Sequence, residues 1–420
     1  MENLRKFGLG YCDLPTMMWN VSTLLRVITI NIDSRQERKI PIYFYVLTLI
    51  TYSSYLYIYL ISMLWFVFWK SHETGDMTAT MIVFSLGVSS EIGPCKMIYM
   101  MWNEELARKV VDGYIECDRA IIKGSRFFKN LLKGLRTVKK RALIFWIVII
   151  GNGVIYILKP IITPGRHIME DNFINLGLEP QFETPYYQIA FFLTSLGVYI
   201  TCYLPANLTA FLIVLIGYTE VTLLALSREL LNLWGDAQEY YKKALHNRHS
   251  KEINIPSDIH EIDVYKQKIV NDYIQRRLYE IVRLHKTNII LINQIELVFR
   301  GAIAMEFILL IVGLLAILLG GLENTYIQMP FAMIQVSMDC LTGQRLIDAC
   351  GIFENAVYDC KWENFNASNM KTVLLILQIS QKTLNLSAGG CSKLSFTCLM
   401  TVIRSIYSAY TALQSTMVFA

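Results

Sequence analysis

The chain has 420 residues, 54% hydrophobic and only 17% charged, with a net charge of +5 and a mean hydropathy of +0.38. Soluble domains carry about 25% charged residues, so this composition argues against a soluble enzyme, and so small a net charge gives no footing for nucleic acid. The nine cysteines, at 12, 95, 117, 202, 340, 350, 360, 391 and 398, form no CxxC pair and no Cys/His metal spacing, so neither a disulfide framework nor a metal centre or cofactor is expected.

Crossing the hydrocarbon layer takes about 20 mostly apolar residues. The runs 42–69, 77–102, 142–163, 188–219, 298–320, 327–347 and 397–417 approach or exceed that length. They predict an all-α membrane protein with seven transmembrane helices, six or eight being the alternative counts. The sixth is the weakest, because Asp339, Arg345 and Asp348 crowd its far end. Residues 1–30 lack the pattern of a cleaved signal peptide, so the first span is expected to direct insertion.

The loops set the orientation. Residues 103–141 hold eleven Lys/Arg against five acids, and the first 40 residues hold six Lys/Arg. Residues 164–187 hold one Arg and four acids (Glu170, Asp171, Glu179, Glu183). The positive-inside rule puts the N-terminus and 103–141 in the cytoplasm. Seven spans then leave the C-terminus outside, an inverted topology relative to a G-protein-coupled receptor. In 262–297, Val270, Ile274, Leu278, Ile281 and Leu284 recur at steps of three and four. That spacing predicts an amphipathic helix running from the fifth span into the cytoplasm. The fourth span runs on to about Trp234, and 246–258 reads as a linker.

No P-loop, HExxH, GxSxG or GxGxxG motif is present, so no enzyme chemistry is expected. Asp118-Arg119 sits within a basic segment and carries no weight as a receptor DRY box. Glu91, Lys96, Lys159 and Glu306 are the ionisable residues within apolar runs. Lys159 and Lys96 are expected to snorkel toward the interface. Glu91 and Glu306 are expected to face the interior, in structural roles or, on a transporter reading, in ion coupling.

Spans two to four mix aromatic and small residues: Phe84 and Ser85, then Gly151, Gly153 and Tyr156, then Phe191, Phe192, Ser195 and Tyr199. Such a mixture suits a small apolar ligand, and equally suits close helix packing. The predicted pocket residues are Phe84, Ser85, Tyr156, Phe192, Ser195 and Tyr199. On the last span Ser405, Ser408, Ala412 and Thr416 (or Ser415) lie at steps of three and four, putting small and hydroxyl groups on one face. That face suits a water-filled pathway or a hydrogen-bonded helix contact.

Residues 340–413 resemble the C-terminal signature of insect odorant receptors. The carrying residues are Cys340, Gly343, Tyr358, Trp362, Gln381-Lys382, Ala388-Gly389-Gly390, Leu394-Ser395 and the closing stretch Tyr407 to Leu413. The family's usual ending is close to Ser-Tyr-Phe-Thr-Leu-Leu, from which Ala409-Tyr410 and Ala412 depart modestly. Gustatory receptors, the nearest rival, end with a Thr-Tyr, five apolar residues and Gln-Phe, which Gln414-Ser415 does not match.

The resemblance implies an odorant-gated, non-selective cation channel in the plasma membrane of the olfactory sensory neuron dendrite. It implies a heterotetramer with the coreceptor Orco, a small volatile odorant as ligand, and membrane lipid around the bundle. On this reading 1–41 is a cytoplasmic N-terminal segment and 42–219 holds spans one to four, a ligand-binding bundle with a basic cytoplasmic loop at 103–141. Residues 220–297 form a cytoplasmic helical extension and linker, and 298–347 hold spans five and six. Residues 348–396 form a cytoplasmic anchor, and 397–420 the pore-lining last helix, with the constriction at Ala412 and Thr416. The chain is shorter than the coreceptor and lacks its long cytoplasmic insertion.

Overall fold

The structure, a computed structural model, describes residues 5–36, 39–249 and 259–419. Most of the expected linker 246–258 therefore lies outside the described residues.

The first helix, α1 (Leu14–Val27), is capped by Asp13, whose carboxylate accepts from the Thr16 amide at 3.0 Å. It lies against the bundle with Leu14, Met17, Met18, Val21 and Leu25 buried. The first long apolar helix is α2 (Ile42–Glu73), which widens into π-helical turns at Leu56–Ser62 and Phe66–Lys70. The second apolar run is broken at Glu91 into α3 (Met77–Ser90) and α4 (Ile92–Trp102). Asp76 caps α3 through the Ala79 amide, and Pro94 occupies the first turn of α4, where a missing N–H costs nothing.

The basic segment 103–141 is helical rather than a loop. It forms α5 (Glu104–Arg119) and the first half of α6 (Arg126–Ile162), with only a short turn between them. The reason is amphipathicity: Ala107, Val110, Val111, Tyr114 and Ile115 bury one stripe of α5 while its charges face out. The 37 residues of α6 span about 55 Å, well beyond the ~30 Å hydrocarbon layer. Its basic half therefore stands clear of the apolar half.

Two longer helices dominate. α7 (Tyr186–His249) has 64 residues and α8 (Ile259–Leu319) has 61. The apolar part of α7 is 94% buried within the chain; it is the central post on which α1, α2, α4, α6, α8 and α9 (Gln328–Tyr358) pack. The charged half of α8 is continuous with its apolar half, with Val270, Ile274, Leu278 and Ile281 buried and Leu284 partly so. After α9 come α10 (Ala367–Ser380), a two-strand hairpin β1 (Ser387–Ala388) and β2 (Ser392–Lys393), and α11 (Phe396–Phe419).

The hairpin turns through Gly389 and Gly390, both at positive φ (66° and 80°), a region that favours glycine. It is pinned to α8: the Gly389 amide donates to the Arg300 carbonyl at 3.0 Å, and the Ser387 amide donates to the Glu296 carboxylate at 3.0 Å.

Among the described residues five helical segments are long and apolar enough to cross a membrane: α2, α3–α4, α6, α7 and α8. With 31 and 24 residues, α9 and α11 have the length but are more polar. The nine cysteines are all unpaired.

Candidate functional site

Residues 163–185 cap one end of the bundle, opposite the basic segment. Ile168, Met169 and Phe173 plug it, each under 5% exposed. The Phe173 ring meets Phe66 edge-on at 6.0 Å, and Tyr57 donates to the Leu176 carbonyl.

Burial raises the Glu170 carboxyl in this plug from 4.5 to about 7; Lys159 opposes the shift and Asp171 adds to it. A carboxyl whose pKa rises on seating favours the seated plug below about pH 4.5, and that support is lost as pH rises through about 7. Hydrogen exchange of residues 166–176, corrected for its intrinsic pH dependence, is therefore expected to speed up across that interval. Glu170→Gln should flatten the change; an unaltered profile in the variant would remove Glu170 as its cause.

Below the plug lies a small cavity of about 40 Å³. Ser89 and Ser90 of α3, Tyr156 of α6, Thr201 and Cys202 of α7, and Phe331 of α9 line it, with Tyr59 of α2 and Gln328 of α9. Two hydrogen bonds hold the start of α9 across this space. Ser85 donates to Gln328 Oε1 at 2.8 Å, and Asn152 of α6 donates to the Ile327 carbonyl at 2.9 Å. Tyr156 Oη, Ser89 Oγ and Gln328 Nε2 are buried without a hydrogen bond of good geometry among the described residues. The lining is thus mostly apolar, with a few polar groups available to orient a guest.

Of the predicted pocket residues, Tyr156 lines the cavity and Ser85 braces its wall through Gln328. Ser195 shares the face of α7 that carries Cys202, two turns away, and its hydroxyl donates to the Phe191 carbonyl at 2.7 Å. Phe84, Ser195, Tyr199 and Phe192 do not line the cavity. Tyr199 stacks on Tyr203 at 5.0 Å, and Phe192 is 61% exposed on the outside of the bundle. The cause is helical phase: Phe192 is nine residues, or about two and a half turns, from Thr201, on the opposite side of α7. Composition alone does not fix that phase. Gln328 and Phe331 escaped the sequence reading because nothing marks α9 as a wall of this cavity, and Asn152 because nothing local shows that α6 meets the start of α9 there.

The largest departure is at Lys96. Instead of snorkelling it is 1% exposed, its ammonium 2.6 Å from Glu306 of α8 and 3.4 Å from Asp339 of α9. It also donates to Thr209 of α7 at 2.8 Å. One cation joins four helices and faces two acids, a geometry that offsets the cost of burying each charge. Asp339, read from sequence as a weakness of the sixth span, is part of what lets that helix sit inside.

One face of α9 connects these features. Gln328, Phe331, Gln335, Asp339 and Gly343 recur at steps of three and four and all are buried. A Cβ on Gly343 would collide with the backbone carbonyl of Leu394, just before α11. Gly343→Ala should therefore lower stability by about 1–3 kcal/mol, read as a fall in the unfolding temperature of the purified protein. An unshifted temperature would mean the two segments are not in contact.

The last helix packs on α8 and α9. Ser405, Ser408 and Ala412 lie on its exposed surface while Ile406 is buried against the bundle. The side chain of Thr416 lies outside the described residues.

No curated protein matches the chain. Its fold is similar to that of the insect olfactory receptor OR5 from Machilis hrabei (TM-score 0.73, 10% identity, 95% of this chain and 98% of that one). It is equally similar to the same receptor in complex with eugenol (TM-score 0.71, 10% identity, 96% and 98%). The family model for the 7tm odorant receptor matches residues 76–407. This membrane protein belongs to the 7tm odorant receptor family.

Proposed function

We propose that the chain is the odorant-binding, pore-forming subunit of a ligand-gated, non-selective cation channel. It works with the coreceptor Orco in a heterotetramer in the plasma membrane of the olfactory sensory neuron dendrite. The observation that carries this reading is the continuous buried face of α9 from the cavity at Gln328 to the contact at Gly343 that precedes α11. The fifteen helical steps from Gln328 to Gly343 cover about 22 Å, so a displacement at the cavity reaches the root of the last helix through one rigid rod.

In this mechanism a small volatile molecule enters between α3, α6, α7 and α9. A cavity of about 40 Å³ is far below the 300–1,000 Å³ of ordinary ligand pockets, so occupancy requires the walls to part. A ligand shifts an equilibrium only by its differential affinity for two states; here the favoured state is the one with α9 moved outward. Eugenol occupies the related receptor named above, and a volatile of similar chemical character is the class of ligand expected here.

Seven spans in the inverted orientation fit the helices: α9 and α11 join the five apolar segments, shielded by neighbouring subunits. Assembly is further supported by exposed apolar groups beyond the apolar segments, Leu374, Leu375 and Ile379 of α10 and Ile352 and Tyr358 of α9. Such a patch outside the bilayer marks a protein interface. The Ser405, Ser408, Ala412 and Thr416 face is then the pore wall, with the constriction at Ala412 and Thr416. Because both are small, this subunit depends on its partners to close the pore. Ala412→Val combined with Thr416→Leu should change single-channel conductance or ion selectivity in the complex. Unchanged permeation in the double variant would move the pore wall elsewhere.

A further inference from the structure

An apolar groove opens on the flank of the bundle, away from the cavity and the charge cluster. Its volume is about 330 Å³. α1 supplies Met17, Val21 and Leu24, and α6 supplies Leu143, Trp146 and Ile147. The buried Ala210 and Val214 of α7 close its back. Lys139 also lines it, but its ammonium is taken up by the chain, donating to the carbonyls of Lys6 at 2.8 Å, Gly8 at 2.7 Å and Tyr11. The interior therefore offers no charge to a guest and, apart from the amide of Asn20, mainly hydrocarbon contact.

The rim is different. Along the exposed face of α6, Ile147, Ile144, Lys140, Arg136 and Lys133 follow one another at steps of three and four. The face is apolar beside the groove and carries three cations beyond it, so a bilayer interface falls between Ile144 and Lys140. Two other arginines of α6 are spoken for: Arg126 pairs with Glu229 and Asp236, and Arg141 pairs with Glu220. Lys133, Arg136 and Lys140 have no acidic partner among the described residues.

An apolar slot running into a row of unpaired cations is complementary to a molecule with a hydrocarbon chain and an anionic head. We propose that this groove holds one acyl chain of an anionic glycerophospholipid, with its phosphate-bearing headgroup on Lys133, Arg136 and Lys140. The lipid wedges α1 against α6 and α7. The proposal rests on the cytoplasmic placement of the basic segment given above, since the cytoplasmic leaflet carries the anionic lipids.

The full chain is reconstituted into nanodiscs of equal phosphatidylserine and phosphatidylcholine in both leaflets. Lipid that stays bound on release into mild detergent is then counted by native mass spectrometry. The expected result is one phosphatidylserine per protomer, retained in preference to phosphatidylcholine. Neutralising the rim with Lys133→Gln, Arg136→Gln and Lys140→Gln should erase the preference, by about fivefold per cation removed. Leu143→Trp, which fills the slot, should expel the lipid whatever its headgroup. Thermal unfolding matched to the unaltered chain keeps misfolding out of the comparison. Equal retention of both lipids by the unaltered chain, or phosphatidylserine retention unchanged in either variant, would overturn the proposal. Odorant-evoked current is read separately, so a lost lipid with an intact response leaves the receptor reading standing.

Discussion

Lys96→Met is expected to leave little folded receptor. The substitution keeps the length of the side chain and removes its charge, stranding Glu306 and Asp339 inside the bundle. Both acids are nearly inaccessible, and Glu306 is wholly so. Removing one partner of a buried pair costs about 3–5 kcal/mol, because the charge left behind keeps its desolvation penalty without its counter-ion. Two acids are left facing each other, and the loss is expected within that range. The measurement is surface delivery together with the unfolding temperature of detergent-solubilised protein. A triple variant, Lys96→Met with Glu306→Gln and Asp339→Asn, removes all three charges and should recover much of the loss. Wild-type stability in Lys96→Met alone would show that the cluster does not hold α4, α8 and α9 together.

Tyr156→Ala should give the largest change in odorant sensitivity. Its ring is buried against the cavity, and its hydroxyl lies near Gln328 without a hydrogen bond of good geometry among the described residues. A guest entering there replaces that deficit with its own polar group and covers the ring with its apolar body. Loss of about 2–3 kcal/mol of apolar contact corresponds to a rise of roughly 30- to 150-fold in the half-maximal odorant concentration. Phe192→Ala is the internal control: at 61% exposed it should leave potency unchanged. Responses to a coreceptor agonist should survive both substitutions. If Tyr156→Ala weakened the coreceptor-agonist and odorant responses equally, its effect would be structural and the cavity would not be the odorant site.

The membrane class of the protein was legible in the sequence because burial in hydrocarbon leaves a strong compositional trace. The amphipathic stretch ending in α8 was legible too, because Val270, Ile274, Leu278 and Ile281 repeat with the period of a helix. The family was carried by a few motifs near the end of the chain, and two of them now have physical reasons. Gly343 is where the backbone of α9 meets that of Leu394, and Gly389-Gly390 supplies the left-handed turn of the hairpin clamped to α8.

What stayed hidden depended on helical phase and on long-range pairing. Phe192 and Tyr199 have the composition of a binding wall but sit on other faces of α7 than Thr201 and Cys202. Lys96, Glu306 and Asp339 are spread over 243 residues, and nothing local announces that they meet. Read one at a time, Lys96 is a snorkelling lysine and Asp339 a blemish in a span; together they are the charged junction of the bundle. The basic stretch at 103–141 misled for a related reason, since an excess of Lys and Arg does not distinguish a loop from an amphipathic helix such as α5.

The central claim is that odorant binding in this chain opens a cation pathway directly. Whole-cell current should be recorded from cells expressing the chain with the coreceptor, with surface delivery verified, during exposure to a panel of volatiles. A fast cation current is predicted that persists when G-protein signalling is blocked and is absent in cells expressing the coreceptor alone. A current that disappears when G-protein signalling is blocked would contradict it.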